Sequence, residues 1–163
     1  MSFKVKLNID WSKLKEETIR KIDERVLQAF YLACSDAVTY AKSNRGERYT
    51  DQTGALNSST GFQLYKDGVL VEDYFELSQG GDDKDGAKAI GITAGQEAAK
   101  RRASELGAHI CGVVVAGMSY AVYVESKGYD VLTGAYHEFR EMLDKRMQEA
   151  FKNENIGYSI ING

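Results

Sequence analysis

The chain has 163 residues, a length that fits one domain and lets it bury about 70% of its unfolded surface without a metal or disulfide staple. Its 21 basic and 24 acidic residues leave a net charge of −3, which argues against a protein that coats nucleic acid. With 43% hydrophobic and 28% charged residues the composition is that of an ordinary globular protein, and no apolar run approaches the roughly 18 residues of a membrane span.

Phe3, Val5, Leu7 and Ile9 alternate with Lys4, Lys6 and Asn8, which predicts a strand with one apolar face. That alternation is not the continuous apolar region of a signal peptide, so the chain is expected to be made in the cytoplasm. Asp10 or Ser12 then offers a helix N-cap, with Glu16 and Glu17 in the first turns where the helix dipole favours acids. Ile19, Ile22, Val26, Ala29, Phe30, Ala33, Ala37 and Ala41 recur at helical spacing and Leu27, Tyr31, Cys34 and Val38 widen the stripe. These residues predict one long amphipathic helix ending near Ser43–Gly46, its wide stripe suited to a sheet or a neighbouring subunit.

Tyr49 to Ser59 follows as Tyr-Thr-Asp-Gln-Thr-Gly-Ala-Leu-Asn-Ser-Ser. Thr50, Asp51 and Thr53 are short polar side chains able to cap backbone N–H groups, and Gly54 can take a conformation closed to other residues. This stretch reads as a turn into a short helix. Residues 61–65 and 69–77 flank Asp67-Gly68, a hairpin signal between two β-rich runs. Residues 79–86, with three glycines and three aspartates, predict a mobile polar loop, and residues 89–93 a brief strand. Gln96 to Leu106 reads as a helix closed by Gly107.

Residues 108–118 are the strongest strand, with Val113, Val114 and Val115 predicting burial on both faces. After Tyr120–Glu125, Asp130 is placed to cap a last helix, whose stripe is Leu132, Ala135, Tyr136, Phe139, Met142, Leu143, Met147, Ala150 and Phe151. Residues 153–163 form a tail. The expected fold is a single α+β domain over residues 1–163, with a glycine-rich acidic loop near 79–88. Its long N-terminal and C-terminal helices pack on a small, mainly antiparallel sheet.

Little in the sequence points to catalysis. Cys34 and Cys111 lie in unlike patterns and read as buried thiols. His109 and Cys111 share a strand face, yet a Cys–His nucleophile would still need an oxyanion hole. His137 reads as a helix-surface residue, and the two histidines and two cysteines lack metal-ligand spacing. Asp82, Asp83 and Asp85 fail the register of a calcium loop, since Ile92 stands where the bidentate glutamate belongs. Gly91-Ile92-Thr93-Ala94-Gly95 before a helix is the one stretch suited to cradle a phosphate, which opens the alternative of a phosphate-ligand-binding domain or enzyme. Lys100, Arg101 and Arg102 form a local basic cluster, by default a solvated helix face and otherwise a weak contact for an acidic partner surface or for nucleic acid, whose binding would fall steeply with salt.

Two stretches carry a resemblance: Tyr49 to Ser59, with its Thr53-Gly54-Ala55-Leu56, and Gly117-Met118-Ser119-Tyr120-Ala121-Val122-Tyr123-Val124-Glu125-Ser126-Lys127-Gly128. A Thr-Gly-x-Leu turn after a long helix, then a strand, then Tyr-Ala-x-Tyr-Val-Glu-x-x-Gly before a final helix, resembles the tail-completion or minor tail proteins of long-tailed bacteriophages and prophages. The resemblance covers residues 12–152. It departs where the family carries a proline before Thr-Gly and a basic residue after it, for this chain has no proline and Ala55 stands after the glycine. The segment from Gly80 to Gly107 is also longer than is usual there.

The resemblance implies a structural, non-enzymatic component of the head–tail junction, neck or tail end, with no cofactor. It implies a homo-oligomeric ring that docks other neck or tail proteins, with DNA only as cargo through its channel and no membrane partner. The expected location is the virion, and the host cytoplasm during assembly. Thr53, Gly54, Leu56, Tyr120, Tyr123, Glu125 and Gly128 are then the candidate interface, with Tyr49 and Tyr129 as further aromatic material. Glu125 is open to anchoring a backbone N–H, to pairing with a basic residue across subunits, or equally to being a solvent-facing turn residue.

Overall fold

The computed structural model describes residues 10–43 and 50–152. The predicted N-terminal strand, Tyr49 and the tail over 153–163 lie outside the described residues. Helix α1 (Trp11–Lys42) starts where the Asp10 carboxylate accepts the Lys13 N–H at 3.0 Å, so of the two candidate caps Asp10 serves. It ends at Ser43, whose N–H reaches the carbonyls of Thr39 and Tyr40. Helix α2 (Ala55–Ser58) leads into strands β1 (Thr60–Lys66) and β2 (Val69–Tyr74). A short 3-10 turn (Lys84–Gly86) precedes helix α3 (Ala87–Leu106), strand β3 (Ile110–Ala116), helix α4 (Ala121–Ser126) and helix α5 (Thr133–Ala150).

The three strands form one antiparallel sheet in the order β2-β1-β3, an α+β architecture with the expected long first and last helices. The Asp67-Gly68 hairpin forms as its residue types predict, both with positive φ (52° and 76°). Strand β1 is central and buried on both faces. On one face Cys34 and Val38 of α1 pack on Phe62 and Leu64, and the Phe62 ring stacks on Tyr74 with centroids 5.1 Å apart. On the other face Ala99 and Ala103 of α3 meet Tyr65, Cys111, Val113 and Val115. Val113 and Val115 face α3 while Val114 packs with the α1 side, so β3 is covered on both faces as predicted.

Gln63 is a buried polar residue on this sheet, and its partners make burial affordable: its amide donates to Asp73 at 2.9 Å and its carbonyl accepts from the Tyr65 hydroxyl at 2.6 Å. Asp73 accepts a second bond from Gln96 of α3, at 2.6 Å, which ties that helix to the sheet.

Helices α1 and α5 meet along Ala29, Ala33, Leu143, Met147 and Phe151, with the Phe30 and Phe139 rings 6.3 Å apart. Alanine on the α1 side lets the helices approach closely. Each large side chain buried there contributes about 1.5–3 kcal/mol of transfer free energy.

One element differs from expectation. Residues 89–93 are not a strand, because α3 begins at Ala87 and runs without a break to Leu106. The physical reason is its stripe of small residues: Gly91, Gly95, Ala99 and Ala103 repeat every fourth position and are the helix's buried face. Gly107 ends the helix in the left-handed conformation, φ 57°, as predicted.

Candidate functional site

The Thr-Gly turn is built by its own side chains. The Asp51 carboxylate accepts the Gly54 N–H at 3.2 Å and the Asn57 N–H at 2.7 Å, while the Thr53 hydroxyl accepts the Ala55 N–H at 3.3 Å. These bonds satisfy the orphan donors at the start of α2. Gly54 has φ 78°, a left-handed conformation, and a Cβ there would lie 2.6 Å from the Gly80 carbonyl oxygen. Leu56, the apolar anchor after the glycine, is 1% exposed.

The acidic glycine-rich loop closes over this turn. Asp82 N–H donates to the Gln52 carbonyl at 2.8 Å and Asp83 N–H to the Thr53 carbonyl at 3.3 Å. Gly81 sits backbone to backbone on Gly54, where a Cβ would come within 2.2 Å of the Gly54 nitrogen. The loop expected to be mobile is therefore pinned to the turn. Its aspartates work locally: Asp82 accepts from Lys84 N–H and Asp83 from Lys88 N–H, at 3.1 and 2.9 Å.

Helix α3 presses on the same block. A Cβ on Gly91 would lie 2.3 Å from the Ala55 carbonyl oxygen, and one on Gly95 2.6 Å from the Ser59 carbonyl oxygen. Gly91 to Gly95 is thus helix interior, where N–H groups bond along the helix and the glycines permit close approach of α2. The phosphate-cradle reading loses its premise, which was a turn with free N–H groups at a helix start.

The second motif joins the first. Ser59 accepts the Gly117 N–H at its carbonyl (3.0 Å) and the Met118 N–H at its hydroxyl (3.3 Å), and a Cβ on Gly117 would lie 2.4 Å from Gly95 Cα. Leu56 packs on Ala121 and Val131 in one buried cluster. Burial and then the nearby Asp51 charge raise the pKa of the Tyr120 hydroxyl, with the Leu56 backbone opposing them. Stretches far apart in sequence become one block. Ser59 and Gly117 stand inside the two stretches and Gly91 and Gly95 inside the phosphate-cradle reading, but the contacts by which they weld the block escape motif reading. The legible signal for α3 is the fourfold spacing of its small residues.

Glu125 takes the first of its open roles. Its carboxylate accepts the N–H groups of Val131, Leu132 and Thr133 at 2.9, 3.0 and 3.1 Å, together with the Thr133 hydroxyl. It therefore caps the N-terminus of α5 from outside that helix. Asp130 adds the expected cap, accepting the Gly134 N–H at 2.8 Å. Burial pushes the Glu125 carboxyl up, but the Thr133 hydroxyl and the three N–H groups outweigh it and hold the pKa below the usual value. Gly128, with φ 85°, turns the chain after α4, its N–H donating to the Glu125 carbonyl at 3.0 Å. Tyr123 is 63% exposed and Val122 77%, with Tyr120, Tyr129 and Tyr136 also exposed just before α4, in the following loop and on α5.

The remaining candidates lie apart. Lys100, Arg101 and Arg102 are exposed on α3, Arg102 pairing with Glu105 at 2.9 Å. His137 is exposed beside Tyr136. His109 and Cys111 do not form a catalytic pair: His109 bonds to Asp67 and Asp23, whereas Cys111 packs in the α3-side core, where burial raises its thiol pKa. Cys34 lies against Gly112 in the α1-side core, and burial raises its thiol pKa too. Among the described residues, no group of three or more His, Cys, Asp or Glu is placed to hold a metal ion, and no helix is long and apolar enough to cross a membrane. Compared with protein-family models, curated proteins and solved structures, the chain finds no match.

Proposed function

We propose that this chain is a structural component of long-tailed bacteriophage or prophage particles, placed at the head–tail junction or the tail end. It assembles into a ring and docks other neck or tail proteins, with DNA passing through as cargo. The observation that carries this reading is the meeting of the two motif stretches in one rigid block. Asp51 and Glu125 use their carboxylates to hold backbone, not to do chemistry. Beside that block the aromatic side chains of Tyr120, Tyr123, Tyr129 and Tyr136 stand exposed. Exposed tyrosines on a rigid support are favourable interface material, since a large ring is buried at low entropic cost.

In this reading the chain is not an enzyme, is made in the host cytoplasm and ends in the virion. Lys100, Arg101 and Arg102 offer a weak contact for an acidic surface. The deciding experiment is electron microscopy of lysates after deletion of the gene from its phage or prophage. Separate heads and tails, or tails with abnormal ends, are expected. Intact infectious particles in normal number would overturn the proposal.

A further inference from the structure

The sheet ends on β2, and on this strand Val69, Leu70 and Val71 are 67%, 46% and 50% exposed, with Leu77 beyond it 59% exposed. No described strand pairs with its outer edge. Natural edges are blunted by lysine, proline or a covering element. Among the described residues the edge carries an irregular register that leaves Val71 without a partner between Leu70 and Glu72. The edge is also acidic, through Glu72 and Asp73. Pairing of β2 with β2 of a second copy would bring these acids together, which is unfavourable. A basic strand suits it.

Residues 3–9 of this chain have that chemistry, with Phe3, Val5, Leu7 and Ile9 alternating with Lys4 and Lys6. Their point of attachment is far from their own β2. Asp23 of α1 bonds Lys66 at 2.7 Å, at the hairpin end of the sheet where β2 begins. Phe151, at the end of α5, packs beside Ile22 and Val26, and every described side chain from Ser12 to Lys21 is exposed. The first turns of α1 therefore project past the body, placing Asp10 about 20 Å beyond Asp23 at 1.5 Å per residue. Residues 3–9 extend at most about 25 Å. Returning to β2 and running along it would take about 40 Å. On these lengths the edge of a neighbouring copy suits the segment better than its own.

We propose that residues 3–9 of one copy add as a strand to the β2 edge of a neighbouring copy, with Lys4 and Lys6 beside Glu72. Each copy then gives one arm and receives one, a head-to-tail contact of the kind that closes rings. This rests on the ring-forming reading above and names its interface.

The test combines sedimentation velocity with hydrogen exchange at residues 69–74. The full chain is expected to self-associate, with exchange at 69–74 slowing as concentration rises. Lys4→Glu with Lys6→Glu is expected to weaken association about tenfold, and Glu72→Lys in that background to restore it. As a second measurement, a peptide of residues 1–10 added to the Lys4→Glu/Lys6→Glu chain is expected to slow exchange at 69–74. Undiminished association of the reversed chain, with exchange at 69–74 insensitive to concentration and to the peptide, would overturn this interface and leave ring formation standing. A full chain that stays monomeric at every concentration, with no effect of the peptide, would overturn both.

Discussion

Side chains pack on both faces of the sheet, but the elements on its two sides are joined to one another by different physics. On one face α1 and α5 interlock through side chains, with Leu143, Met147 and Phe151 seated on Ala29 and Ala33. On the other, α2, α3 and the chain after β3 meet backbone to backbone at Gly54, Gly81, Gly91, Gly95 and Gly117. The side-chain seam draws its strength from apolar area and tolerates substitutions of similar volume. The glycine block gains hydrogen bonds and rigidity, and has no room for a methyl group. The candidate assembly motif lies in the second kind of structure, where position is fixed most tightly.

The comparison can be broken from either side. Leu143→Ala removes volume from the seam and is expected to cost about 3 kcal/mol by urea denaturation, with an unchanged slope. Gly117→Ala adds one methyl against Gly95 Cα, 2.4 Å from where it would stand. It is expected to cost about 2 kcal/mol, or roughly 4–8 °C in Tm. A Gly117→Ala chain as stable as the wild type would show that the block yields, and the contrast would fail. Glu125→Gln keeps the shape of the cap and removes its charge, at an expected cost of about 1 kcal/mol at neutral pH. Because the folded pKa of Glu125 is depressed, its contribution is present above the ordinary value of 4.5 and is lost as pH falls through the folded value. The gap between wild type and Glu125→Gln should therefore close in acid.

The seam was legible because helical periodicity is written in apolar side chains, and both α1 and α5 follow it. The Thr-Gly turn was legible too, since Asp51, Thr53 and Gly54 are the residue types that the turn's donors and its positive φ demand. The first half of α3 was not. Isolated glycines in Ala89–Gly95 have poor helix propensity, and only tertiary contact with Ala55 and Ser59 makes them favourable there. The roles open to Glu125 were legible, but the choice between them required knowing that α5 begins beside it. The stripe of α1 also continues into Leu14 and Ile19, 49% and 45% exposed, so periodicity alone does not say where the core stops.

The smallest expected effect lies where α1 leaves the body. His109 places Nδ1 2.5 Å from Asp67 and Nε2 3.2 Å from Asp23, and Asp23 also takes Lys66 at 2.7 Å. Only the imidazolium donates from both ring nitrogens. The hydrogen bond to Asp67, then that to Asp23, raises the His109 pKa above its ordinary 6.5. The Lys66 bond, against the opposing effect of burial, lowers that of Asp23 below 3.8. A raised histidine contributes stability that is fully present below 6.5 and is lost as pH rises through its folded value. A depressed aspartate contributes stability present above 3.8 and lost as pH falls through its own. The cluster thus ties α1 to the hairpin and to β3 most firmly in mildly acidic solution. His109→Gln should lower Tm most near pH 5–6, the difference narrowing as pH rises through the histidine's raised value. A difference that stays constant with pH would mean that the ring acts by packing alone, with the Lys66–Asp23 pair carrying the charged tie at this point.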